Sequence, residues 1–323
     1  MPTARIKKSW KIFSQSICKM DTSTAATLKL LQQKEQITAY LRRSGNPLAS
    51  AAFPNIFIWQ DFFDFKAEML EGNLCIFASN EVGTFLYAPP LGETISPAAT
   101  EQCFALMREE NRGRPVSRIE NVPAARLRDF DEKKYVFTEK SPDYVYRRED
   151  LASLKGNPYK TPRWAYNNFV ENHRVDFLPY EDSMREACAD LYKRWARSRA
   201  GRHDDPVYRQ MLEDNERVHG RLRQFHKELD LIGRVIRIEG QLAGYTFGFP
   251  LNGETFCILC EIIDPDLKGA AVFIFREFCR DEALRPFTFI NAMDDSDLPN
   301  IRQAKESFHP VERIRNYIIT PKE

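Results

Sequence analysis

Residues 234–264 have the sequence RVIRIEGQLAGYTFGFPLNGETFCILCEIID, and this segment gives the clearest indication of the fold class. Its apolar residues are concentrated in three runs that predict β-strands: Arg234–Glu239, Leu242–Pro250 and Glu254–Asp264. Glu239-Gly240-Gln241 separates the first two runs, and Asn252-Gly253, a pair favoured in tight hairpins, separates the last two. The segment therefore predicts an antiparallel meander.

Helices are predicted on both sides of this meander. Upstream, Ser183-x-x-Glu186 has the form of a capping box, and a core stripe follows at helical spacing: Met184, Ala187, Cys188, Leu191 and Trp195. A second helix is predicted with Asp205 as its N-cap and Pro206 in its first turn. Downstream, the pattern predicts a helix over Gly269–Leu284 and a strand over Phe287–Ala292. A short helix over Leu298–Phe308 and a closing strand over Arg313–Ile319 follow. This order of elements resembles that of the N-acetyltransferase-like (GNAT) fold.

The first half of the chain is predicted to have a similar order of elements. Two strands are expected over Leu74–Ser79 and Val82–Ala88, followed by a helix capped by Ser96. A strand over Val116–Asn121, a short helix over Pro123–Phe130 and extended pieces over Lys134–Thr138 and Tyr144–Tyr146 follow. The repeated order predicts an α+β protein of two tandem acetyltransferase-like domains, each a mixed, mainly antiparallel sheet flanked by helices. We expect a flexible extension over residues 1–25, a degenerate N-terminal domain over 26–140, a linker strap over 141–180 and a C-terminal domain over 181–323.

Composition excludes several classes of protein. The chain has 323 residues, and 47 Lys and Arg against 46 Asp and Glu leave a net charge of +1, so charge alone indicates no nucleic acid or membrane partner. Seven cysteines scattered through apolar segments are typical of a reduced, cytoplasmic protein. No window approaches the roughly 18 apolar residues of a spanning helix. The basic stretch before Met20 is expected to be a loose extension, or to precede a true start at Met20, and a targeting tail is the alternative.

Two blocks of residues resemble a bacterial family of tandem acetyltransferase-fold proteins. One block contains Tyr144-Val-Tyr146, Asp150-Leu151, Leu154-Lys-Gly156, Tyr159-Lys160, Arg163, Asn167 and Phe169. The other contains Phe289-Ile-Asn291, Asp294 to Asp297, Ile301-Arg302, Ala304-Lys305, Ser307-Phe308 and Pro310. The family is similar to the C-terminal domain of phosphatidylglycerol lysyltransferase. The resemblance implies transfer of an aminoacyl group from a charged tRNA to an amine or hydroxyl, with a small molecule, a lipid headgroup or a peptide as acceptor.

The acidic loop Asp294-Asp295-Ser296-Asp297 precedes a predicted helix that carries Arg302 and Lys305. These two cations are three residues apart and share a side of the helix, with Lys305 at the border of its apolar stripe. A partly buried ammonium needs a partner, and a loop carboxylate is the natural one. The resemblance implies catalytic roles for Lys305 and one of the loop carboxylates, and substrate binding by Arg302 and Asn291. The alternative is a helix cap by Asp297 with a structural ion pair.

Glu261 is a candidate general base within the last strand of the meander. Simple alternation places Cys257, Leu259, Glu261 and Ile263 on one face, so burial would disfavour the charged carboxylate. The alternative is an edge position in contact with water. The same alternation places Cys257 and Cys260 on opposite faces, which argues against a metal or redox pair.

Asp266-Leu-Lys-Gly269-Ala-Ala271 occupies the place where acetyltransferases of this fold bind the pyrophosphate of coenzyme A. Lys268, Gly269 and Ala271 are therefore candidate cofactor-binding residues. Asp266 stands where a donor is expected and would repel a pyrophosphate, so acyl-CoA is the weaker donor and aminoacyl-tRNA the stronger.

The predicted linker interleaves cations and aromatic residues. Its candidate substrate-binding residues are Tyr159, Lys160, Arg163 and Asn167, with Trp164 and Tyr166 beside them. This patch would bind an RNA acceptor end by phosphate contacts and stacking, or would act as a strap that ties down buried carbonyl groups.

The sequence contains no nucleophile elbow, phosphate loop or dinucleotide fingerprint, and its five histidines form no metal-ligand motif. Two hypotheses of different classes remain. The first is an acyltransferase, with aminoacyl-tRNA as the favoured donor. The second is a non-catalytic binding protein that keeps the cleft. The sequence does not predict the oligomeric state.

Overall fold

The structure, a computed structural model, describes residues 23–201 and 205–322. Within these residues the chain forms two compact units. The first unit is built from the described residues up to Asp143 and from Ile314 onward, and the second is Tyr144–Arg313. The predicted extension over residues 1–25 falls almost entirely outside the described residues. The domain limits given above remain predictions.

The first unit is a mixed sheet with helices. Its helices are α1 Ser23–Gln32, α2 Lys34–Ser44, α3 Phe53–Ile58 and α4 Pro97–Glu110. Its strands are β1 Asp64–Leu70, β2 Asn73–Ser79, β3 Thr84–Leu86, β4 Ile119–Pro123, and the parts of β5 Tyr135–Arg147 and β11 Glu312–Pro321 that lie in this unit. The strand order is β1-β2-β3-β4-β11-β5, with β3 and β4 parallel. Short 3₁₀ turns cover Ala49–Ala51 and Ala124–Asp129.

The second unit contains the predicted meander and is also a mixed sheet. Its helices are α5 Arg148–Ser153, α6 Lys160–Asn172, α7 Arg185–Ala200, α8 Pro206–Gln224, α9 Ala270–Arg280 and α10 Pro299–Glu306. Its further strands are β6 Val175–Pro179, β7 Ile232–Ile238, β8 Gln241–Pro250, β9 Thr255–Ile263 and β10 Phe289–Asn291. From the end of β5 the order is β5-β10-β9-β8-β7-β6, and only the β10–β9 pair among these is parallel. Short 3₁₀ turns cover Asp182–Met184 and Glu282–Leu284.

Helix α9 fixes the core of the second unit. Its buried residues Phe273, Ile274 and Phe278 recur at helical spacing and pack on one face of the sheet. Phe278 lies 5.6 Å from Phe256 of β9, ring centroid to ring centroid, in an edge-to-face arrangement. Burial of this helix holds β9 in a fixed position.

Several local predictions are wrong. The expected capping box at Ser183 does not form, because Asp182–Met184 is a 3₁₀ turn and Ser183 instead contacts Glu181 of the preceding turn. Ala187 is exposed, since the buried stripe of α7 passes through Tyr192. Residues 141–180, predicted as a linker strap, contain helix α6 and strand β6, which pairs with β7; the strap itself remains a prediction. By contrast, Ser96 and Asp205 cap their helices as expected.

Strand β9 contains a β-bulge at Leu259. Phe247 of β8 pairs with Cys260, and the next residue, Gly248, pairs with Ile258. Leu259 is therefore an extra residue on β9 with no opposite partner. Side chains before and after the bulge do not follow a simple alternation.

The bulge reverses one conclusion drawn from the sequence. Cys257 lies opposite Phe249 and Cys260 lies opposite Phe247, and directly opposite residues share a face of the sheet. Phe247 and Phe249 are two residues apart on β8 and also share a face. Cys257 and Cys260 therefore point to the same side, and the prediction of opposite sides is wrong. In the described part of the chain, no group of three or more His, Cys, Asp or Glu residues is arranged to hold a metal ion.

None of the described helices combines the length and the apolar character needed to cross a membrane. The six cysteines within the described residues are free thiols, and five of them are buried.

Candidate active site

The candidate active site lies where strands β9 and β10 separate. The last residue pair between them is Asn291 with Cys257, after which β9 continues with β8 as its partner. The chain beyond β10 keeps following β5 instead. The Ala292 amide donates to the Tyr144 carbonyl at 3.0 Å, and the Tyr144 amide donates to the Met293 carbonyl at 3.1 Å. Because different neighbours hold the two strands, β9 and β10 do not pair beside the second half of β9, and we call this break in the pairing the opening.

Glu261 lies in this second half of β9. Glu261 is opposite Thr246, and Ile258 is opposite Gly248, so Glu261 and Ile258 share a face of the sheet. Simple alternation had instead placed Glu261 on the face of Cys257. The residue is partly buried, and burial raises the pKa of its carboxyl group to about 8. Within the described residues, no hydrogen bond or ion pair holds the carboxylate. A carboxyl group with this pKa changes protonation close to neutral pH and suits a general base.

Lys305 lies on helix α10 and is near Glu261. Its positive charge lowers the pKa of Glu261 and so opposes the effect of burial. The ammonium group donates to the carbonyl oxygens of Ala292 and Met293, the latter at 3.2 Å, and lies 5.7 Å from the centre of the Tyr144 ring. Two residues singled out by the sequence therefore meet at the opening between β9 and β10.

Asp295 is the buried residue of the acidic loop. Its side chain is fully buried, and one carboxylate oxygen accepts from Tyr144 Oη at 2.7 Å and from Arg302 Nε at 2.7 Å. The other oxygen accepts from the Asp297 amide at 2.9 Å. Burial and, to a smaller extent, the hydrogen bond to this carboxylate raise the pKa of Tyr144 to about 12. Asp295 therefore binds Arg302, while Lys305 holds carbonyl groups at the start of the same loop.

The remaining loop residues set the path of the backbone. Asp294 accepts from the Ser296 amide at 2.8 Å, and Asn291 accepts from the Met293 amide at 2.7 Å. Met293, Ser296 and Asp297 have positive φ angles of 59°, 50° and 54°. Non-glycine residues rarely adopt this conformation, and the local side-chain to backbone hydrogen bonds support it. Asp297 also lies 3.5 Å from Arg302, carboxylate to guanidinium.

The linker candidates divide into two groups. Tyr159 donates to the Phe308 carbonyl at 3.3 Å, and Arg163 donates to the carbonyls of Leu154 and Gly156 at 2.5 and 3.0 Å. Three further side chains are exposed on helix α6: Lys160, Trp164 and Asn167. Arg163 and Tyr159 thus hold main-chain carbonyl groups, and the exposed residues are accessible to a ligand.

The candidate cofactor residues lie at the start of helix α9. Gly269 is its N-cap with φ of 90°, and Lys268 and Ala271 are exposed. A Cβ atom at Gly269 would lie only 2.7 Å from the Ala165 carbonyl oxygen and 3.0 Å from Cβ of Phe169. Helix α6 therefore packs closely against this turn.

Tyr144 was not singled out for chemistry from the sequence, although it lies in the first of the two resembling blocks. It contacts the acidic loop through its hydroxyl and Lys305 through its ring. Its partner Asp295 is 151 residues away in the chain, and no local pattern indicates such a contact.

The chain matches the family described as "Phosphatidylglycerol lysyltransferase, C-terminal" over residues 42–320. This chain belongs to that family. The family takes its name from a lysyltransferase, an enzyme that transfers a lysyl group. No curated protein matches the chain.

Solved structures agree in fold. A conserved protein of unknown function from Bacteroides thetaiotaomicron has a TM-score of 0.79 at 23% identity, covering 90% of this chain and 97% of that one. L-PGS from Bacillus licheniformis has a TM-score of 0.62 at 14% identity, covering 88% and 91%. A structure named FemX has a TM-score of 0.60 at 8% identity, covering 88% and 95%. At these identities the likeness shows the fold, a mixed sheet flanked by helices, as predicted.

Proposed function

We propose that this protein is an aminoacyltransferase that moves an aminoacyl group from the 3′ end of a charged tRNA to an amine or hydroxyl acceptor. We further propose that each compact unit is a GNAT-like domain and that the second carries the reaction. The observation on which this rests is Glu261, a carboxyl group with a pKa of about 8 at the opening between β9 and β10. Membership of the family supports aminoacyl transfer as the reaction.

In the proposed reaction Glu261 is the general base. It takes a proton from the attacking amine or hydroxyl as that atom bonds to the ester carbonyl carbon of the donor. The bond from this carbon to the ribose oxygen then breaks, and the departing oxygen takes up a proton, which balances the one that Glu261 accepted. Partial burial matches this role, because the pKa of the base lies near the working pH.

Lys305 and the acidic loop would prepare the opening for this chemistry. The Lys305 ammonium supplies positive charge close to the base and to the carbonyl groups of Ala292 and Met293. A cation here would stabilise the negative charge that develops on the ester oxygen. Asp295 binds both Arg302 and Tyr144, which lie on either side of the loop. We therefore assign Lys305 a catalytic role and Asp295 a positioning role, with Asp294 and Asp297 shaping the loop.

Acyl-CoA is the less suitable donor. The turn that would bind its pyrophosphate carries the carboxylates of Asp264 and Asp266, and the Asp266 amide already donates to Asp264 at 3.1 Å. The Gly269 backbone is packed against helix α6. Two carboxylates and an occupied amide do not fit a pyrophosphate, which needs free donors and positive charge. Titration with acetyl-CoA is expected to give no thermal shift.

For the donor, the exposed Lys160, Trp164 and Asn167 provide a cation, a stacking surface and an amide for a tRNA acceptor end. We propose a lipid headgroup, a small molecule or a peptide as acceptor, and a cytoplasmic site of action where charged tRNA is present.

The test is transfer from radiolabelled lysyl-tRNA to phosphatidylglycerol vesicles, with soluble amines and other aminoacyl-tRNAs as parallel arms. Transfer by the wild-type protein and a loss of about 100-fold or more in Glu261→Gln would support the proposal. Glu254→Gln is a matched control, because Glu254 is exposed and directly precedes the same strand. Its rate should equal that of the wild-type protein.

Equal activity of Glu261→Gln and the wild-type protein would overturn the role of Glu261. If the wild-type protein binds charged tRNA but consumes no ester with any acceptor, the non-catalytic binding protein becomes the better description.

A further inference from the structure

A buried cation lies on the other face of the same sheet, away from Glu261. Arg223 of helix α8 is 3% exposed, and Tyr245 of β8 beside it is 0% exposed. Tyr245 is adjacent to Thr246, and successive residues of a strand point to opposite faces. Since Thr246 lies opposite Glu261, the Arg223 cluster and the candidate active site lie on opposite faces of the sheet.

One edge of the Arg223 guanidinium has no acceptor in the described residues. Nη1 donates to the Tyr245 hydroxyl at 3.1 Å, and Nε is buried without a hydrogen-bond partner. Nη2 likewise contacts no acceptor within residues 23–201 and 205–322. Nε and Nη2 form the parallel pair of donors with which arginine binds a carboxylate or phosphate in a bidentate manner.

His219 adds a further donor. It lies one turn before Arg223 on the same face of α8, and its Nδ1 is 3.0 Å from the Tyr245 hydroxyl. This hydroxyl accepts from Arg223, so its own proton is left for Nδ1 of His219. Burial lowers the pKa of His219 to about 3, so the ring is neutral with its proton on Nε2. That Nε2–H group has no acceptor among the described residues.

The nearby carboxylates do not neutralise Arg223. On α8, Asp214 accepts from Gln210 at 2.9 Å. Glu216 lies one turn before His219, and its negative charge adds to the effect of burial in raising the pKa of Tyr192. In the described part of the chain, neither forms an ion pair with Arg223. A buried cation without a counter-ion is costly. Other buried positions of this helix hold apolar residues: Leu212, Val218 and Leu222.

We propose that the Nε–Nη2 edge of Arg223, with Nε2–H of His219, binds a single oxyanion, a carboxylate or a phosphate, of a small ligand. Tyr245 positions both donors through its hydroxyl group. Arg223, His219 and Tyr245 are all buried, so we expect binding of one oxyanion group rather than a polyanion. The inference concerns binding alone and does not depend on the aminoacyl transfer proposed above.

The experiment is a thermal-shift titration of the full chain with sodium acetate and with inorganic phosphate, at constant ionic strength maintained with chloride. Acetate probes for a planar carboxylate, and phosphate probes for a tetrahedral oxyanion. We expect a saturable rise in melting temperature with one of them, and at least tenfold weaker binding in Arg223→Met. Arg217→Met, on the same helix but exposed, is the control and should bind as the wild-type protein does.

A second measurement tests whether Arg223 is merely structural. If its role is to bind a ligand, the ligand-free Arg223→Met variant should melt no lower than the wild-type protein, because methionine removes the uncompensated charge. Arg223→Lys keeps the charge but loses the two-donor edge, so it too should bind the anion at least tenfold less tightly. An identical response in the wild-type and Arg223→Lys proteins, or a response of the wild-type protein to neither anion, would overturn the proposal.

Discussion

Glu261 and Asp295 are two carboxylates in the same unit with opposite surroundings. Asp295 accepts hydrogen bonds from a hydroxyl group, a guanidinium group and an amide. Burial raises the pKa of Glu261, and the positive charge of Lys305 opposes this effect. A carboxylate that is fully hydrogen-bonded is held in its charged form, whereas one that is buried and poorly solvated favours its neutral form. The contrast assigns a positioning role to one and a proton-transfer role to the other.

The raised pKa of Glu261 predicts a specific dependence of stability on pH. Its pKa is about 8 in the folded protein against an ordinary value of 4.5, so the folded state binds the extra proton between these values. Stability contributed by this group is therefore lost as pH rises from about 4.5 to 8. Glu261→Gln lacks this titration. We expect nearly equal stability near pH 4.5 and an advantage for the variant of about 4 kcal/mol at pH 8.

Urea unfolding of both proteins at several pH values provides the measurement. A constant difference across this range would show that the carboxyl group does not titrate as proposed.

Asp295→Asn should destabilise the second unit. The change removes the charge that Arg302 and Tyr144 share inside a fully buried site. Because the Arg302 side chain is 52% exposed and can be solvated again, we expect a loss of about 2 kcal/mol in the free energy of unfolding rather than the larger cost of a sealed pair.

The control for this change is Glu139→Gln in the first unit. Glu139 pairs with Arg315, and both side chains are about half exposed, at 48% and 57%. We expect a loss below about 1 kcal/mol there. Urea unfolding monitored by fluorescence compares the two variants, and equal losses would contradict the assignment of Asp295.

At the scale of elements, the start of helix α9 depends on a glycine. Gly269 combines φ of 90° with close contact to Ala165 and Phe169 of helix α6. Gly269→Ala should therefore lower the free energy of unfolding by about 2–4 kcal/mol, because strain and steric overlap both contribute. Gly240, in a turn with φ of 79° and nothing within 4 Å, isolates the strain. Gly240→Ala should cost only about 1 kcal/mol.

Thermal unfolding of the two variants separates these contributions. If both alanine variants lose the same stability, the contact between α6 and the α9 turn does not constrain the backbone.

Most strands and the helices α4, α7, α8, α9 and α10 were predicted, because period and turn residues are local properties. The buried faces were predicted only in part, since Ala187 of α7 and Ala304 of α10 are exposed. The three strands of the meander and the caps at Ser96 and Asp205 were all predicted. Strand β1 was not predicted, although Asp64 to Met69 alternate between polar and apolar residues as a half-buried strand does. The β-bulge at Leu259 could not be predicted, since it depends on the register between β8 and β9.

The candidate site was predictable only in part. Glu261 was found because a lone carboxylate in an apolar strand is conspicuous. The carbonyl oxygens of Ala292 and Met293, which accept from the Lys305 ammonium group, were not predicted, because they depend on the path of the loop backbone. Arg223 and His219 looked like ordinary polar positions on an amphipathic helix. Their burial results from the packing of α8 against the rest of the second unit, which a local sequence pattern does not predict.

For the whole molecule, the division into two units predicts separable stability. Strand β11 lies between β4 and β5 in the first unit, and its residue Ile319 is 0% exposed and opposite Ile119. Ile319→Asp places a charge in this core. We expect loss of amide protection in β2 and β4, measured by hydrogen exchange, with protection in β7, β8 and β9 retained.

Val136→Asp, at an exposed position of β5, is the control and should leave protection in both units unchanged. Uniform loss of protection across all strands in Ile319→Asp would instead show that the two units unfold together.

Strand β11 is made long after the strands it joins. The ribosome completes the whole of Tyr144–Arg313 before it reaches Ile314, so the second unit can fold on emergence while β4 still lacks its neighbour. Until the last strand leaves the exit tunnel, an unpaired strand edge stays open to wrong partners. Nascent chains should therefore depend on chaperones through this interval, and slow translation of the final codons should prolong that dependence.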